Sequence, residues 1–485
     1  MAREAVIGLE CHIQLRTASK MFCDCPAEFG APPNANTCPV CLGLPGALPR
    51  ANREAIDAAM RLGLALDCEI RERSVFARKH YFYPDMPKNY QITQYDRPLC
   101  EGGALSVQTA DAEREFALTR VHIEEDTGKS FHPERHGDRR ISRVDFNRAG
   151  VPLLELVTQP VFRTPEECGA FLGGLRRLVR WLGISDGDME KGHLRCDANV
   201  SLREVGDAKF GTKTELKNLN SIKGVEKGIA AEMARQSRAL DAGQRIEQAT
   251  LLYDADHDRL AVMRSKEHAH DYRYFPDPDL PELVVGRAWV DAARASLPEL
   301  PWARERRFVE AFRLPAYDAA VLCEGKELSD YFEALAAAAP PKLASNWVMT
   351  EMLRVMKARG VTLGEWAVKV PVARFADLLK RLEAGQLTGP NAKQVFEEMA
   401  ETGDDPGAIV ARRGFRVQAS ADELLPVVRE VLEAHPGPVA QVLAGKTATI
   451  GFLVGQVMKR TGGQAAPQVV QELLREELAR LASKL

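Results

Sequence analysis

The chain has 485 residues, 45% hydrophobic and 27% charged, with 65 Lys and Arg against 68 Asp and Glu for a net charge of -3. That length exceeds what one core serves and predicts two to four domains, while the near-neutral balance excludes wholesale coating of nucleic acid but not a local basic patch. No stretch approaches the roughly 20 apolar residues of a membrane span, and the acid-bearing opening Met1 to Gly8 reads as neither signal nor transit peptide, so a cytoplasmic protein is expected.

Residues 1–295 are dense in short β-branched and aromatic runs broken by Gly, Pro, Asn and Asp, which predicts an α+β body. In its first strand, apolar and polar residues alternate from Leu9 to Gln14, placing Glu10, His12 and Gln14 on one face. A carboxylate beside an imidazole there suits a metal, and a solvated strand face suits the pattern too. Next come Cys23-Asp24-Cys25 and, after twelve intervening residues, Cys38-Pro39-Val40-Cys41. Two such knuckles bring four sulfurs to one tetrahedral Zn²⁺, and Pro, Asn and Gly between them supply the turns. Scattered free thiols are the alternative; disulfides fit less well in a chain without secretory features. The other six cysteines, Cys11, Cys68, Cys100, Cys168, Cys196 and Cys323, have no spacing logic and read as reduced buried thiols.

Arg78-Lys79-His80-Tyr81-Phe82-Tyr83-Pro84-Asp85 interleaves cations with aromatics, as suits phosphate and base stacking or, equally, an exposed strand. After the expected strand Phe116 to Val121 stand Glu124, Glu125 and Asp126 in a row, a repulsive set that a hard divalent cation would tolerate. Alternation puts Glu124 and Asp126 on one side and Glu125 on the other, so joint use of Glu124 and Glu125 requires a bulge or the start of a loop. A helix is expected from Phe171 to Leu182 with Gly183 as its stop, which disqualifies Gly183-Ile184-Ser185-Asp186-Gly187 as a serine-hydrolase elbow because that turn must follow a strand. A second helix is expected from Val225 to Ala242, closed by Gly243.

After Pro298 and Pro301 the chain turns helical, with helices expected at Leu328 to Ala339, Asn346 to Arg359 and Val372 to Leu382. Gly445-Lys446-Thr447 ends like a phosphate-binding loop, but Ala440 stands where that motif requires Gly. A last helix from Pro467 places Val470, Leu473, Leu474, Leu478 and Leu481 on one packing face. From Ile409 to Leu485 ten Lys and Arg face seven Asp and Glu, a mild excess that contact with a polyanion or a solvated face explains about equally.

The string Asp188 to Arg203 (DMEKGHLRCDANVSLR), with Gly8 to Leu15, Arg78 to Asp85, His122 to Asp126, Lys217 to Ser221, Asp271 to Pro276, Ser345-Asn346-Trp347 and Gly451 to Lys459, resembles the B subunit of the aspartyl/glutamyl-tRNA(Asn/Gln) amidotransferases over nearly the whole length. The resemblance implies an α+β fold: an N-terminal mixed α/β cradle domain at 1–295 bearing the zinc knuckle at 23–41, an all-α helical domain at 296–408, and a helical tail at 409–485 that contacts tRNA, the tail-like family region beginning near 329. It implies an enzyme that uses ATP to phosphorylate the side-chain carboxylate of Glu-tRNA(Gln) or Asp-tRNA(Asn). The acyl phosphate is then aminated with ammonia released by the glutaminase, the A subunit, in a heterotrimer that the C subunit completes; a non-discriminating aminoacyl-tRNA synthetase is a further partner.

By position in the matching motifs, Glu10, His12, Glu124 and Glu125 would hold Mg²⁺, or Mn²⁺ in its place, and Asp197 and Glu215 would share the catalytic pocket. Lys79 and Tyr81 would face ATP or the acceptor end. Cys23, Cys25, Cys38 and Cys41 match the zinc-bearing branch of the family, which makes zinc structural. Two departures from the family pattern stand out: Cys11 stands where Val is usual, on the opposite face from Glu10 and His12, and Lys191-Gly192-His193 replaces Glu-Gly-Ser near Asp197. The chain offers no ammonia-releasing nucleophile of its own. Two other classes compete: a zinc-stabilised RNA-binding protein, which has no use for converging acids that repel phosphate, and a metallohydrolase, which leaves the tail unexplained.

Overall fold

The computed structural model describes residues 2–131, 142–255, 257–265, 269–415, 420–444 and 446–482. Gly445 of the rejected phosphate-loop motif, and Arg416 and Lys484 of the tail's charge count, lie outside the described residues. The chain divides into two compact units, Met1–Leu300 and Pro301–Leu485.

The first unit contains strands β1 (Arg3–Gln14), β2 (Ala77–His80), β3 (Tyr90–Thr93), β4 (Glu113–Glu125), β5 (Pro152–Thr158), β6 (Leu194–Glu204), β7 (Thr214–Leu219), β8 (Ala249–Asp254) and β9 (Arg259–Ser265). Its three long helices are α1 (Arg53–Ala65), α2 (Pro165–Trp181) and α3 (Ile222–Asp241). Among the described residues a ten-stranded sheet runs in the order β9-β8-β7-β6-β1-β5-β4 and continues through Cys100–Glu101 to Glu69–Ile70, with Ala104–Gln108 also pairing with β4. Neighbours are antiparallel except β7 and β8. A smaller sheet joins β2 to β3 and to the short strand Phe275–Pro276.

The period-2 pattern of β1 does what its sequence promises. Leu9, Cys11 and Ile13 are buried, while Glu10, His12 and Gln14 face the other way. Behind the apolar face, α3 packs on β6 with α2 at its side. Helix α2 starts where Thr164 accepts a hydrogen bond from the Glu167 amide and Pro165 presets φ, and it stops at Gly183 with φ +69°. Phe171 of α2 meets Phe162 edge-on at 5.2 Å, and Phe162 stacks on Phe116 of β4 at 4.5 Å. All three rings are fully buried, so this cluster rivets the helix to the sheet.

The second unit is helical throughout its described secondary structure. The expected run Asn346 to Arg359 belongs to a longer rod from Pro341 to Arg359 interrupted by a π-helical turn at Val348–Met352. Leu424, Val428, Leu453, Val457, Val470, Leu474 and neighbours form a core from the helices Ala421–Ala434, Ile450–Arg460 and Pro467–Ala482. Leu481, expected on that packing face, is 37% exposed, and Ala479, Arg480 and Ala482 around it are exposed too, so the buried face ends at Leu478.

Candidate active site

Directly opposed residues in an antiparallel pair share a face, so register decides what gathers on the polar side of the sheet. His12 of β1 is opposite Glu155 of β5 on one flank and Arg195 of β6 on the other. Glu10 is opposite Asp197, His122 of β4 is opposite Glu155, and Glu215 of β7 is opposite Asn199. The result is a cavity of about 300 Å³ whose lining includes Glu10, His12, Lys79, Glu155, Asp197 and Glu215.

Two of these groups, His12 and Glu155, converge with Glu124 of β4. His12 Nε2 lies 3.4 Å from Glu155 Oε2 and 3.7 Å from Glu124 Oε1, and one ligand atom from each of the three falls within 4.8 Å of the others. Glu124 also accepts from Thr93 Oγ1 at 3.3 Å. Glu10 stands one step along, accepting from Asn199 Nδ2 at 2.9 Å. Lys217 Nζ donates to Asp197 at 2.6 Å and lies 3.6 Å from Glu215, which accepts from Thr250 Oγ1 at 2.9 Å.

The electrostatics follow from burial and crowding. Desolvation and the Glu155 charge push Glu124 up to about 7. Glu10 is raised by burial and by Glu155, Glu215 and Asp197. Burial disfavours the His12 imidazolium, but the hydrogen bond and charge of Glu155, with the Glu124 charge, outweigh it and hold His12 above the ordinary histidine value. His122 is driven down to about 4 by burial, against the pull of Glu155, with Arg120 and Lys79 adding to the fall. Glu155 stays well below the usual carboxylate range because the neighbouring imidazoles and Lys79 outweigh its burial. A site that keeps one acid near its titration point for want of positive charge fits a divalent cation, whose hard oxygen donors Glu124 and Glu155 supply.

Glu125 is elsewhere. The ladder is regular to the end of β4, with Glu124 opposite Leu153 and Glu125 opposite Pro152, so no bulge swings both acids to one side. The structure therefore does not bring Glu125 to Glu10, His12 and Glu124. It accepts from the Ile92 amide at 2.9 Å, pairs with Lys88, and lines a second cavity of about 230 Å³ with Cys23, Cys41 and Arg78. Asp126 returns to the Glu124 side, where Arg195 lies 3.0 Å away. Lys79 lines the acidic cavity; Tyr81, two residues on, does not, although burial raises its hydroxyl, with Lys79 and Glu124 among the charges it feels.

The four knuckle sulfurs of Cys23, Cys25, Cys38 and Cys41 also lie within 4.8 Å of one another, and the Cys38 and Cys41 sulfurs are 3.9 Å apart. Tetrahedral ligands at about 2.3 Å from zinc stand about 3.8 Å from each other, so this cluster can bind zinc. Lys20, fully buried, aims Nζ at Cys41 Sγ from 3.7 Å and donates to the Asn36 and Phe146 carbonyls. The Cys23 hydrogen bond offsets burial and, with the Cys38 amide and Lys20, lowers Cys41 to about 4. The cysteines are all free thiols, including the six without spacing logic, which are buried.

Sequence reasoning missed Glu155, His122, Arg195 and Lys217. Glu155 had a signal, since it is the lone charge in the apolar run Pro152–Thr158.

The pattern of the GatB/GatE catalytic domain matches residues 5–291, which include every residue of the acidic cavity and of the thiol cluster, and a second GatB domain matches 330–478. The chain belongs to the GatB family. The proteins named as B subunits of aspartyl/glutamyl-tRNA(Asn/Gln) amidotransferase from Carboxydothermus hydrogenoformans, Chlorobium phaeobacteroides and Moorella thermoacetica are each 48% identical to it over 479 residues. The match covers 99% of this chain and 99 to 100% of theirs. In this GatB-family chain the acid and imidazole trio and the thiol cluster both fall inside the catalytic-domain match.

Proposed function

We propose that this chain, a component of a tRNA-dependent amidotransferase and thus of a carbon–nitrogen ligase, is the subunit that activates and amidates the misacylated amino acid. The observation that supports this reading best is the His12, Glu124 and Glu155 trio, with Arg195 and Lys217 around it on the same large sheet and Lys79 brought to the cavity from the smaller one.

A carboxylate does not expel oxide to an amine, so the side chain of Glu-tRNA(Gln) or Asp-tRNA(Asn) needs a leaving group. Its oxygen attacks the γ-phosphorus of ATP, forming an acyl phosphate and ADP. Ammonia then attacks the acyl carbon, phosphate departs, and a proton is lost to give the amide. Glu124, Glu155 and His12 would hold Mg²⁺, with Glu10, Asp197 and Glu215 along the same wall. The cation supplies charge neutralisation between the two anions that must meet. Lys79 is held charged against its burial by Tyr274, Glu124 and Glu155, and Lys217 by Asp197 and Glu215, so both can bind phosphate oxygens without first taking up a proton. Arg195, anchored on Asp126, orients from the β6 side.

In this reading zinc is structural, residues 1–295 carry the chemistry, and 296–408 lead to a tail at 409–485 that contacts tRNA, supported by the tail's own apolar core and its mild basic excess. Ammonia comes from the glutaminase partner, the A subunit, in a complex that also holds the C subunit. Among the described residues no helix is long and apolar enough to cross a membrane.

The test is ATP-dependent amidation of Glu-tRNA(Gln) and Asp-tRNA(Asn) by the assembled complex with ammonia as donor, comparing wild type with Glu155→Gln and His12→Ala. We expect a loss of about 100-fold or more in kcat, on the order of what a missing electrostatic partner of phosphoryl transfer costs, with tRNA binding intact. Unchanged activity would move the chemistry to another pocket or another component of the complex.

A further inference from the structure

The acidic cavity has an aromatic side that its charges do not explain. Tyr95 lies two residues beyond the end of β3, and Tyr274 precedes the strand Phe275–Pro276. Because β2 pairs with both, Arg78 being opposite Ile92 on one edge and Phe275 on the other, the two rings are brought together from positions 179 residues apart in sequence. They stack almost parallel, centroids 4.2 Å apart and planes 7° apart. Tyr272 meets Tyr274 edge-on at 6.1 Å, and Lys79 Nζ sits 5.1 Å from the Tyr272 ring. All three tyrosines line the cavity that contains His12 and Glu155.

Two observations set this cluster apart from ordinary packing. Tyr95 is still 40% exposed although Tyr274 covers one of its faces, so the stack ends in open ring surface. Between Tyr272 and Tyr274, Arg273 holds φ at +45°, a left-handed conformation that costs a side-chain-bearing residue and persists only where surrounding structure enforces it. An open aromatic face beside the Lys79 cation, lining a cavity read above as taking phosphate, is the chemistry that receives a nucleobase.

We propose that the stacked pair Tyr95 and Tyr274 is the platform for an adenine ring, with Tyr95 presenting the face on which the base lies. This rests on the reading that the cavity takes ATP and the acceptor end of tRNA. Both carry adenine, as the base of the nucleotide and as the terminal adenosine of the RNA. Tyr95 is a positioning residue here: it fixes the base, and through it the distance of the phosphate or ester from the acids.

The full chain is titrated calorimetrically, in Mg²⁺, with ATP, with inorganic tripolyphosphate, and with RNA minihelices ending in CCA or in CC. Base stacking predicts that Tyr95→Ala weakens the adenine ligand by on the order of tenfold while Tyr95→Phe, which keeps the ring, restores it. Tripolyphosphate and the CC-ended RNA bind unchanged, which also shows the variant to be folded. Loss confined to ATP assigns the platform to the nucleotide; loss confined to the CCA end assigns it to the terminal adenosine. If wild type binds ATP or the RNA and Tyr95→Ala binds both equally well, the platform is wrong and the active-site reading stands. If wild type binds none of the four probes, the active-site reading fails and the platform falls with it.

Discussion

At the scale of single residues, Glu124 gives the sharpest consequence. Its carboxyl is raised to about 7 by burial and by Glu155, whereas in the unfolded chain it titrates near 4.5. Between those values the native state binds a proton that the unfolded state does not, so stability from this group falls as pH rises from about 5 to 7, the reverse of the usual salt-bridged acid. Thermal unfolding in Mg²⁺-free buffer is expected to show that decline, by an amount on the order of 1 to 3 kcal/mol given the coupling to Glu155. Glu124→Gln removes the slope, and saturating Mg²⁺ flattens it by replacing the proton. A flat profile in the metal-free wild type would mean that Glu124 is ionised in its pocket. Glu10 and His12 were legible in the sequence because period-2 alternation is local, visible within the run Leu9 to Gln14. Glu155 was not, because its meeting with His12 depends on strand register between distant parts of the chain, and nothing within Pro152–Thr158 states which strand lies alongside. The same logic displaced Glu125: adjacency in sequence suggested a shared cation, while a regular strand requires opposite faces.

At the scale of elements, α2 shows how the polar face is held in place from behind. Its Phe171 closes the cluster with Phe162 and Phe116, and Phe116 lies on the strand that carries His122 and Glu124. Phe171→Ala is expected to cost about 3 to 5 kcal/mol and to lower the denaturation midpoint at constant m-value, because the removed ring is fully enclosed and α2 cannot collapse onto the gap without dragging β4. Thr164→Ala removes only the cap and should cost about 1 kcal/mol, so a ratio near one between the two variants would contradict this assignment. The Gly183 stop was readable in the sequence, but the helix was read from Phe171 and begins at Pro165, so its Thr164 cap and first turn went unread. The strand β4 was read from Phe116 to Val121 and runs from Glu113 to Glu125, since its ends Glu113 to Glu115 and His122 to Glu125 are too polar to announce a strand and are recruited by pairing with Ala104–Gln108 and β5. The π turn at Val348–Met352 went unread as well: Val348, Glu351 and Met352 are buried in a stretch whose periodicity reads as plain α-helix.

At the scale of the whole molecule, each unit carries its own core, and only the first carries the four-thiol cluster. The cluster clamps a segment with little core of its own: between Lys20 and Gly46 the chain is turns and bends, with Phe29, Leu44 and Leu48 exposed nearby. Removing zinc should therefore cost far more order around residues 20–50 than anywhere in the helical unit. Lys20 sharpens the test. Four thiolates around one Zn²⁺ carry a net charge of about -2, and the buried Lys20 ammonium is the cation pointed at them, fixed by the Asn36 and Phe146 carbonyls. Lys20→Met keeps the bulk and removes the charge, and it should weaken zinc by about 10- to 100-fold in competition with a chromophoric chelator. Hydrogen exchange supplies the spatial readout. On chelation, amides bonded into the knuckle, such as Leu42 and Gly43, lose protection together with Met21, whose amide is held by the Gly150 carbonyl, while amides in the helices that bury Leu453, Val457 and Leu474 exchange as before. Equal loss in both units would show zinc acting on the whole chain, and no loss in the knuckle would leave the cysteines as packed thiols.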